Sequence, residues 1–363
     1  MIGRVLILGG YGNFGKRIAG ALTAAGIGVV VAGRNRTKAE ALAGRLPTGL
    51  AEPAWFDISR DLDAWLKEIR PAVVVHACGP FQGQDYGVAR ACIANGAHYV
   101  DLSDGRGFVT GITALDQDAK EAGVAVISGA STIPGLSSAV LEHFQGRFSR
   151  IDSLRYGISP GQKAERGLAT TQGVLSYVGR PLTPFAGSGG TVYGWQDIYR
   201  QAYPGLGKRW MANCDVPDLD LFAERYGVGS IRFSAGLEVG LLHLGLWGLS
   251  WLVRWGLPLN LPRHAGVFLR ASNWFNGLGT ADGGMHVVLS GLDLDGRPVT
   301  RSWYIIAREG DGPFIPTVPA ILLARRLASG EAMLTGAYPC VGLVTLDDYL
   351  DALGGHRIET LSL

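Results

Sequence analysis

The sequence predicts an α/β protein: a doubly wound parallel sheet first, then a second α/β domain built on a mixed or antiparallel sheet. Three observations carry this. The apolar run Val5-Leu6-Ile7-Leu8 reads as a buried parallel strand and leads straight into Gly10-x-Gly12-x-x-Gly15, followed by an apolar-periodic helix (Ile18, Ala19, Leu22, Ala25). Strand and helix patterns then alternate up to about residue 135. Beyond that point the rhythm changes, and Asp295-Gly296 marks a hairpin between two long strand patterns.

In chain order, residues 28–32 form the second strand pattern and 36–46 a helix, with Thr37 as its candidate cap. Residues 54–56 are a third strand ending at Asp57, and 61–69 its helix. The β-branched run 72–76 is a fourth strand; 86–95 is a helix closed by Gly96, a glycine placed where a left-handed residue ends helices. A fifth strand (98–102), a helix (112–122) and a sixth strand (124–127) complete a doubly wound, Rossmann-type sheet. Residues 136–148 read as a helix and 153–159 as a strand, while 162–220 is glycine- and aromatic-rich and irregular. Strands follow at 231–237, 285–292 and 299–307, then helices at 318–328 and 346–353. The expected division is residues 1–135, 136–312 for substrate or dimerisation, and a helical tail, 313–363, returning to the first domain.

Length and composition agree with two folded domains. At 363 residues, 47% hydrophobic and 18% charged, the chain is not a disordered one. A net charge of +2 gives no electrostatic reason to bind nucleic acid. Cys78, Cys92, Cys214 and Cys340 stand singly, without metal spacing, so neither a metal site nor a disulfide framework is expected. The start passes at once into a strand with no basic, cleavable leader, which predicts a cytoplasmic protein.

The glycine motif serves dinucleotides. Gly10 allows the tight turn, Gly12 lets a pyrophosphate approach the backbone, and Gly15 lets helix and strand pack closely. Tyr11, Asn13 and Phe14 complete that loop. At the end of the second strand stand Gly33-Arg34-Asn35-Arg36, where an NAD site would need a carboxylate for the ribose hydroxyls. A guanidinium there suits the 2′-phosphate of NADP(H), with NAD(H) the lesser expectation. Asp57 either accepts from the adenine amino group or caps the next helix. Cys78-Gly79-Pro80-Phe81, after the fourth strand, is a candidate cofactor wall, with Cys78 not assigned as a nucleophile.

Ligands in open α/β sheets sit at the carboxyl ends of the strands. Asp101 and Asp104, after the fifth strand, are therefore candidates for proton delivery or substrate anchoring, with Tyr86, or are turn and cap residues. Ser103, Ser131, Pro134 and Gly135 are candidate substrate contacts, Ser131 or Thr132 being an alternative helix cap.

Gly-Gly-Tyr-Gly-Asn-Phe-Gly, Ala-Gly-Arg-Asn, Cys-Gly-Pro-Phe, Tyr-Val-Asp-Leu-Ser-Asp and Ser-Gly-Ala-Ser-Thr-Ile-Pro-Gly occur in this order over about residues 1–140. Together they resemble the saccharopine dehydrogenase-like reductases. Gly283-Gly284-Met285 and the segment 310–316 are similar to that family's second half, less specifically. The resemblance implies a Rossmann domain, an inserted second domain, NAD(P)(H) and reduction of imines, with some relatives acting on polyketide-like or lipid substrates. No complete amino-acid-recognising set emerges. Arg155, Arg166, Arg180, Arg232, Arg270 and Arg301 are all candidate carboxylate clamps.

Residues 239–253 carry no Asp, Glu, Lys or Arg, and His243, Trp247, Trp251 and Trp255 form a stripe at every fourth residue. The run is too short to span a bilayer. A core or homodimer-interface helix is the plain reading; peripheral membrane contact through 239–255 and a wall for a lipid-like substrate are the alternatives. The expectation overall is hydride transfer between NADP(H) and a small molecule with a C=N or C=C bond. The rivals are a reductase of lipid or polyketide-like substrates at a membrane surface and a non-catalytic NADP-binding sensor or scaffold.

Overall fold

A computed structural model describes residues 2–363. The chain forms two compact units, Met1–Leu136 with Phe314–Val344, and Ser137–Pro313 with Thr345–Leu363.

The first unit alternates as the sequence dictates. It runs β1 (Val5–Leu8), α1 (Gly15–Ala24), β2 (Val29–Gly33), α2 (Arg36–Ala43), β3 (Ala51–Trp55), α3 (Leu62–Ile69), β4 (Val73–His76), α4 (Gly87–Ala94), β5 (His98–Asp101), α5 (Arg106–Thr110), α6 (Asp116–Glu121) and β6 (Ala125–Ser128). Every residue of β1, β4 and β6 is buried, as strands covered by helices on both faces must be. The six strands pair in parallel in the order 3-2-1-4-5-6, so the chain reverses direction across the sheet between β1 and β4. Pro53 sits in β3, at the sheet edge, where its missing N–H costs no ladder bond.

The second unit begins with α7 (Ser137–Gln145), β7 (Arg150–Ser159) and α8 (Leu168–Ser176). A hairpin follows, β8 (Tyr199–Tyr203) and β9 (Gly207–Asn213), then α9 (Asp218–Tyr226), β10 (Ser230–Leu237), α10 (Gly240–Arg254), α11 (Ala265–Asn273), β11 (Gly283–Leu292) and β12 (Pro298–Ala307). Sheet alternation separates two faces. Leu154, Tyr156, Ile231, Phe233, Val287 and Leu289 are buried on one. Arg155, Arg232, Ser234, His286 and Tyr304 share the other, brought into line by the registers of β12, β11, β7 and β10.

Four differences from the sequence expectation have clear causes. The passage 162–220 is not simply irregular, because α8, the β8–β9 hairpin and the start of α9 lie in it; Pro204-Gly205 makes the turn of that hairpin. The cap of α2 is Asn35, whose side chain accepts from the Lys38 N–H at 3.0 Å, and not Thr37. The parallel sheet has a seventh strand, β13 (Gly336–Pro339), on the outer side of β6, after α12 (Val318–Ala328). The tail is divided rather than returning whole: α13 (Leu346–Asp351) and β14 (Ile358–Ser362) belong to the second unit, where β14 pairs antiparallel with β12.

Candidate active site

The site begins where β1 ends. Gly9 takes a left-handed conformation (φ +76°), and a Cβ there would lie 3.0 Å from the Cys78 Sγ. A Cβ on Gly12 would approach the Gly9 carbonyl oxygen to 3.0 Å, and one on Gly15 to 2.2 Å. The turn is thus closed against the first residue of α1, where the Lys16 N–H donates to the Gly12 carbonyl (3.1 Å) and the Arg17 N–H to the Phe14 carbonyl (3.0 Å), at a helix end that carries partial positive charge. Gly10, Gly12 and Gly15 all sit where a Cβ would collide with or crowd backbone of the loop or β2, as a tight strand-to-helix turn requires. Gly9 is a fourth glycine that the fingerprint does not contain; its signal was the doubled Gly9-Gly10 after the strand.

Tyr11 lies across Gly33, where a Cβ would come within 2.4 Å of the ring. Its hydroxyl accepts from the Asn35 N–H at 2.9 Å. Asn13 accepts from Arg17 Nη1 through its carbonyl (2.6 Å) and its side-chain oxygen, and Arg17 stacks on Phe314 at 4.9 Å. Phe14 is the N-cap residue of α1.

The two arginines after β2 differ sharply. Arg36 is spent locally: it pairs with Glu40 at 2.7 Å and lies over the Trp55 ring at 4.4 Å. Arg34 is exposed and makes no hydrogen bond or ion pair among the described residues, while its charge is felt at Cys78 and Asp57. Asp57 Oδ1 accepts from the Ser59 N–H (3.0 Å) and hydroxyl (2.8 Å), which holds its carboxyl below the usual range. Asp57 thus holds the turn before α3 and does not cap that helix, whose N-cap position is Asp61.

Across from the glycine loop, Gln84 Nε2 donates to the carbonyls of Cys78 (2.8 Å) and Pro80 (2.7 Å) and pins Cys78-Gly79-Pro80-Phe81. Phe81 packs on the buried His76 ring at 5.0 Å. Burial pushes the His76 imidazole down to about 4 and the Cys78 thiol up to about 11, so both are neutral near pH 7. A neutral thiol is a poor nucleophile.

At the carboxyl ends of β5 and β6, Asp101 is fully buried. Its Oδ1 accepts from the Ser103 and Gly129 N–H groups, each at 2.9 Å, and its carbonyl from Ala130 at 2.7 Å. It stitches two loops together; burial outweighs these bonds and pushes its carboxyl up to about 6. Asp104 is exposed and accepts from Gln82 Nε2 at 3.1 Å. The Tyr86 hydroxyl donates to the Phe108 carbonyl at 2.8 Å, so its proton is committed to the fold. The Ser103 hydroxyl accepts from the Gly105 N–H. Ser131 is half-buried at the loop after β6, whereas Pro134 packs on Gly129 and Gly135 on Pro319 and Cys340.

In the second unit the six candidate arginines separate. Arg155 and Arg232 are opposite one another in the parallel β7–β10 pair, over one ring, Tyr199, at 6.0 and 4.7 Å. Arg232 donates to the Asp197 carbonyl at 2.5 Å, and neither arginine has a carboxylate at ion-pair distance among the described residues. Beneath them His286 links the Tyr199 (3.5 Å) and Tyr203 (2.9 Å) hydroxyls, and burial with the Arg155 charge pushes it down to about 3. Arg166 and Arg270 donate to nearby backbone carbonyls, Arg180 is exposed, and Arg301 lies in register with Leu289. The buried Arg209–Glu238 pair (3.2 Å) and His286 were not foreseen, since only strand register brings them together. No group of His, Cys, Asp or Glu among the described residues is arranged to hold a metal.

Residues 5–127 match the family model of the saccharopine dehydrogenase NADP binding domain. The first unit therefore carries a saccharopine dehydrogenase-like, NAD(P)-binding Rossmann domain. No curated protein matches the chain in sequence. Among solved structures it is similar to apo saccharopine dehydrogenase (L-Glu forming) of Saccharomyces cerevisiae, at 15% identity and a TM-score of 0.68, with 99% of this chain and 100% of that one covered. It is also similar to the amine dehydrogenase of Mycobacterium smegmatis, at 16% identity and a TM-score of 0.50, covering 94% and 95%. At these identities the likeness is one of fold.

Proposed function

We propose that this chain, with its saccharopine dehydrogenase-like NADP-binding domain, is an NADP(H)-dependent oxidoreductase that transfers hydride to or from a C=N or C=C bond of a small molecule. The observation that carries the reading is Arg34: an exposed guanidinium without a protein partner, at the end of β2 and beside a glycine turn shaped for a pyrophosphate. The bound nicotinamide would supply the hydride. The chain's own residues do the rest. Gly9, Gly10, Gly12 and Gly15 with the start of α1 would hold the phosphates, Arg34 the 2′-phosphate, and the Cys78–Phe81 loop the cofactor's flank. Asp104 is the exposed carboxyl among the residues proposed for proton transfer, with Asp101 as a positioning residue. Ser131 remains the proposed substrate contact of that edge, while Ser103 is fully buried and serves the turn.

A second observation favours an anionic substrate. Two arginines facing one another with no carboxylate repel, and such a pair is relieved by an anion bound to both. Arg155 and Arg232 are accordingly the proposed anchors for a substrate carboxylate. The match of residues 5–127 to the saccharopine dehydrogenase NADP binding domain supports an oxidoreductase over the sensor or scaffold.

The test is deuteride transfer from 4-deuterated NADPH to a panel of cyclic imines, oxo acids mixed with amines, and enoyl compounds. Deuterium in a product supports the reading. Tight NADPH binding with transfer to none of them would favour the sensor or scaffold.

A further inference from the structure

The α10 helix is apolar on both faces: Leu246, Leu249 and Val253 pack into the core of the second unit. Its fully buried positions include two polar side chains, His243 and Ser250. Its outward stripe, at helical spacings of three and four, is Leu241, Leu244, Gly248, Leu252 and Trp255. Leu241 is 65% and Trp255 74% exposed, and a Cβ on Gly245 or Gly248 would meet nothing within 4 Å. The α11 helix and the turn after it also expose apolar side chains, Val267, Trp274 (84% exposed) and Leu278. Large apolar side chains left exposed on two helices that share one core mark an interaction surface.

Charge tells which kind. From Val239 to Ala281 there is no Asp or Glu, and the charged residues are Arg254, Arg263 and Arg270, all exposed. Exposed leucine and tryptophan with arginine as the sole charge is the chemistry of a helix lying in an anionic lipid interface. No helix among the described residues is long and apolar enough to cross a membrane, so this surface would lie on a bilayer. We infer that α10, α11 and the connecting loop form a docking face for an anionic membrane surface, with Leu241, Trp255, Trp274 and Leu278 entering the acyl boundary and Arg263 and Arg270 meeting the headgroups. The inference is independent of the reaction catalysed.

The test is flotation of the full chain with vesicles of phosphatidylcholine alone and of phosphatidylcholine with phosphatidylglycerol. The chain floats with the anionic vesicles and, less, with the neutral ones, and added salt reduces the difference. Trp255→Ser with Trp274→Ser lowers the bound fraction at least tenfold. Arg263→Glu with Arg270→Glu removes the preference for anionic vesicles, about fivefold for each arginine. NADPH affinity and thermal melting of each variant stay at the wild-type level, since these side chains are exposed and belong to the second unit, not to the one that carries the glycine loop. Failure of the wild-type chain to float with anionic vesicles overturns the inference. So does flotation unmoved by either pair of substitutions. Self-association that Leu241→Asp abolishes, in a chain that ignores vesicles, would assign the face to a second copy instead.

Discussion

The Tyr11 hydroxyl and the Asn35 N–H are joined by a 2.9 Å hydrogen bond that ties the loop after β1 to the turn after β2. Asn35 in turn caps α2 through its side chain, so the backbone is fixed on the far side of Arg34 while the guanidinium is left exposed. One aromatic residue of the glycine loop thereby positions the group proposed to read the 2′-phosphate.

Tyr11→Phe keeps the ring on Gly33 and removes only the acceptor. The expected cost is about 1 kcal/mol, seen as a several-fold loss of NADPH affinity with a smaller change for NADH. Calorimetric titration of both cofactors checks it; equal losses would mean that the bond serves the fold alone.

Two glycines of α1 make opposite predictions. Gly15→Ala drives a Cβ to 2.2 Å from the Gly9 carbonyl oxygen, so the turn must open and NADPH binding be lost. Gly20 has nothing within 4 Å of its Cβ position, and Gly20→Ala is expected to stabilise the protein by roughly 0.5–1 kcal/mol through helix propensity. Chemical denaturation and NADPH titration of the two variants separate cofactor shape from stability.

Asp218 on α9 is fully buried, accepts from Ser137 Oγ (2.5 Å) and Tyr156 Oη (2.9 Å), and is pushed up to about 7 by desolvation. Its folded pKa lies above the unfolded one, so the folded state holds the extra proton. Stability from this group is complete below about pH 4 and is lost as pH rises to about 7. His76, His243 and His286, pushed down by burial, work the other way, losing stability as pH falls below 6.5. The difference in unfolding free energy between wild type and Asp218→Asn isolates the carboxyl. It should shift in the variant's favour by on the order of a few kcal/mol between pH 4 and 7, and a flat difference would place no titration at Asp218.

The nucleotide half of the site was legible because its parts are local. A strand, a glycine turn, a helix and the residue ending the next strand lie within 34 residues, and each is fixed by backbone sterics or burial. What local pattern does not carry is pairing between distant segments. The four-residue β13 contains a glycine and a proline and becomes a strand only beside β6. In the β8–β9 hairpin only the Pro204-Gly205 turn is a local signal. Six arginines were equivalent in sequence; strand register alone brings Arg155 and Arg232 face to face. Burial, equally invisible beforehand, takes Asp101 out of solvent and leaves Asp104 exposed.

That arginine pair makes a prediction of its own. Without an anion, Arg155→Gln relieves a like-charge contact and stabilises the second unit by a few tenths of a kcal/mol. Malonate, as a carboxylate probe, should raise the melting temperature of the wild type and lose that effect in Arg155→Gln with Arg232→Gln. An equal malonate effect in both proteins would show that the pair is no carboxylate anchor.

The most direct measurement is the affinity of NADPH and of NADH for the wild type and for Arg34→Asp. Charge-assisted bonds to the 2′-phosphate predict a clear wild-type preference for NADPH and a loss of about 10- to 100-fold on substitution, with NADH affinity held or improved. Equal wild-type affinities, unmoved by Arg34→Asp, would contradict the NADP assignment at its root.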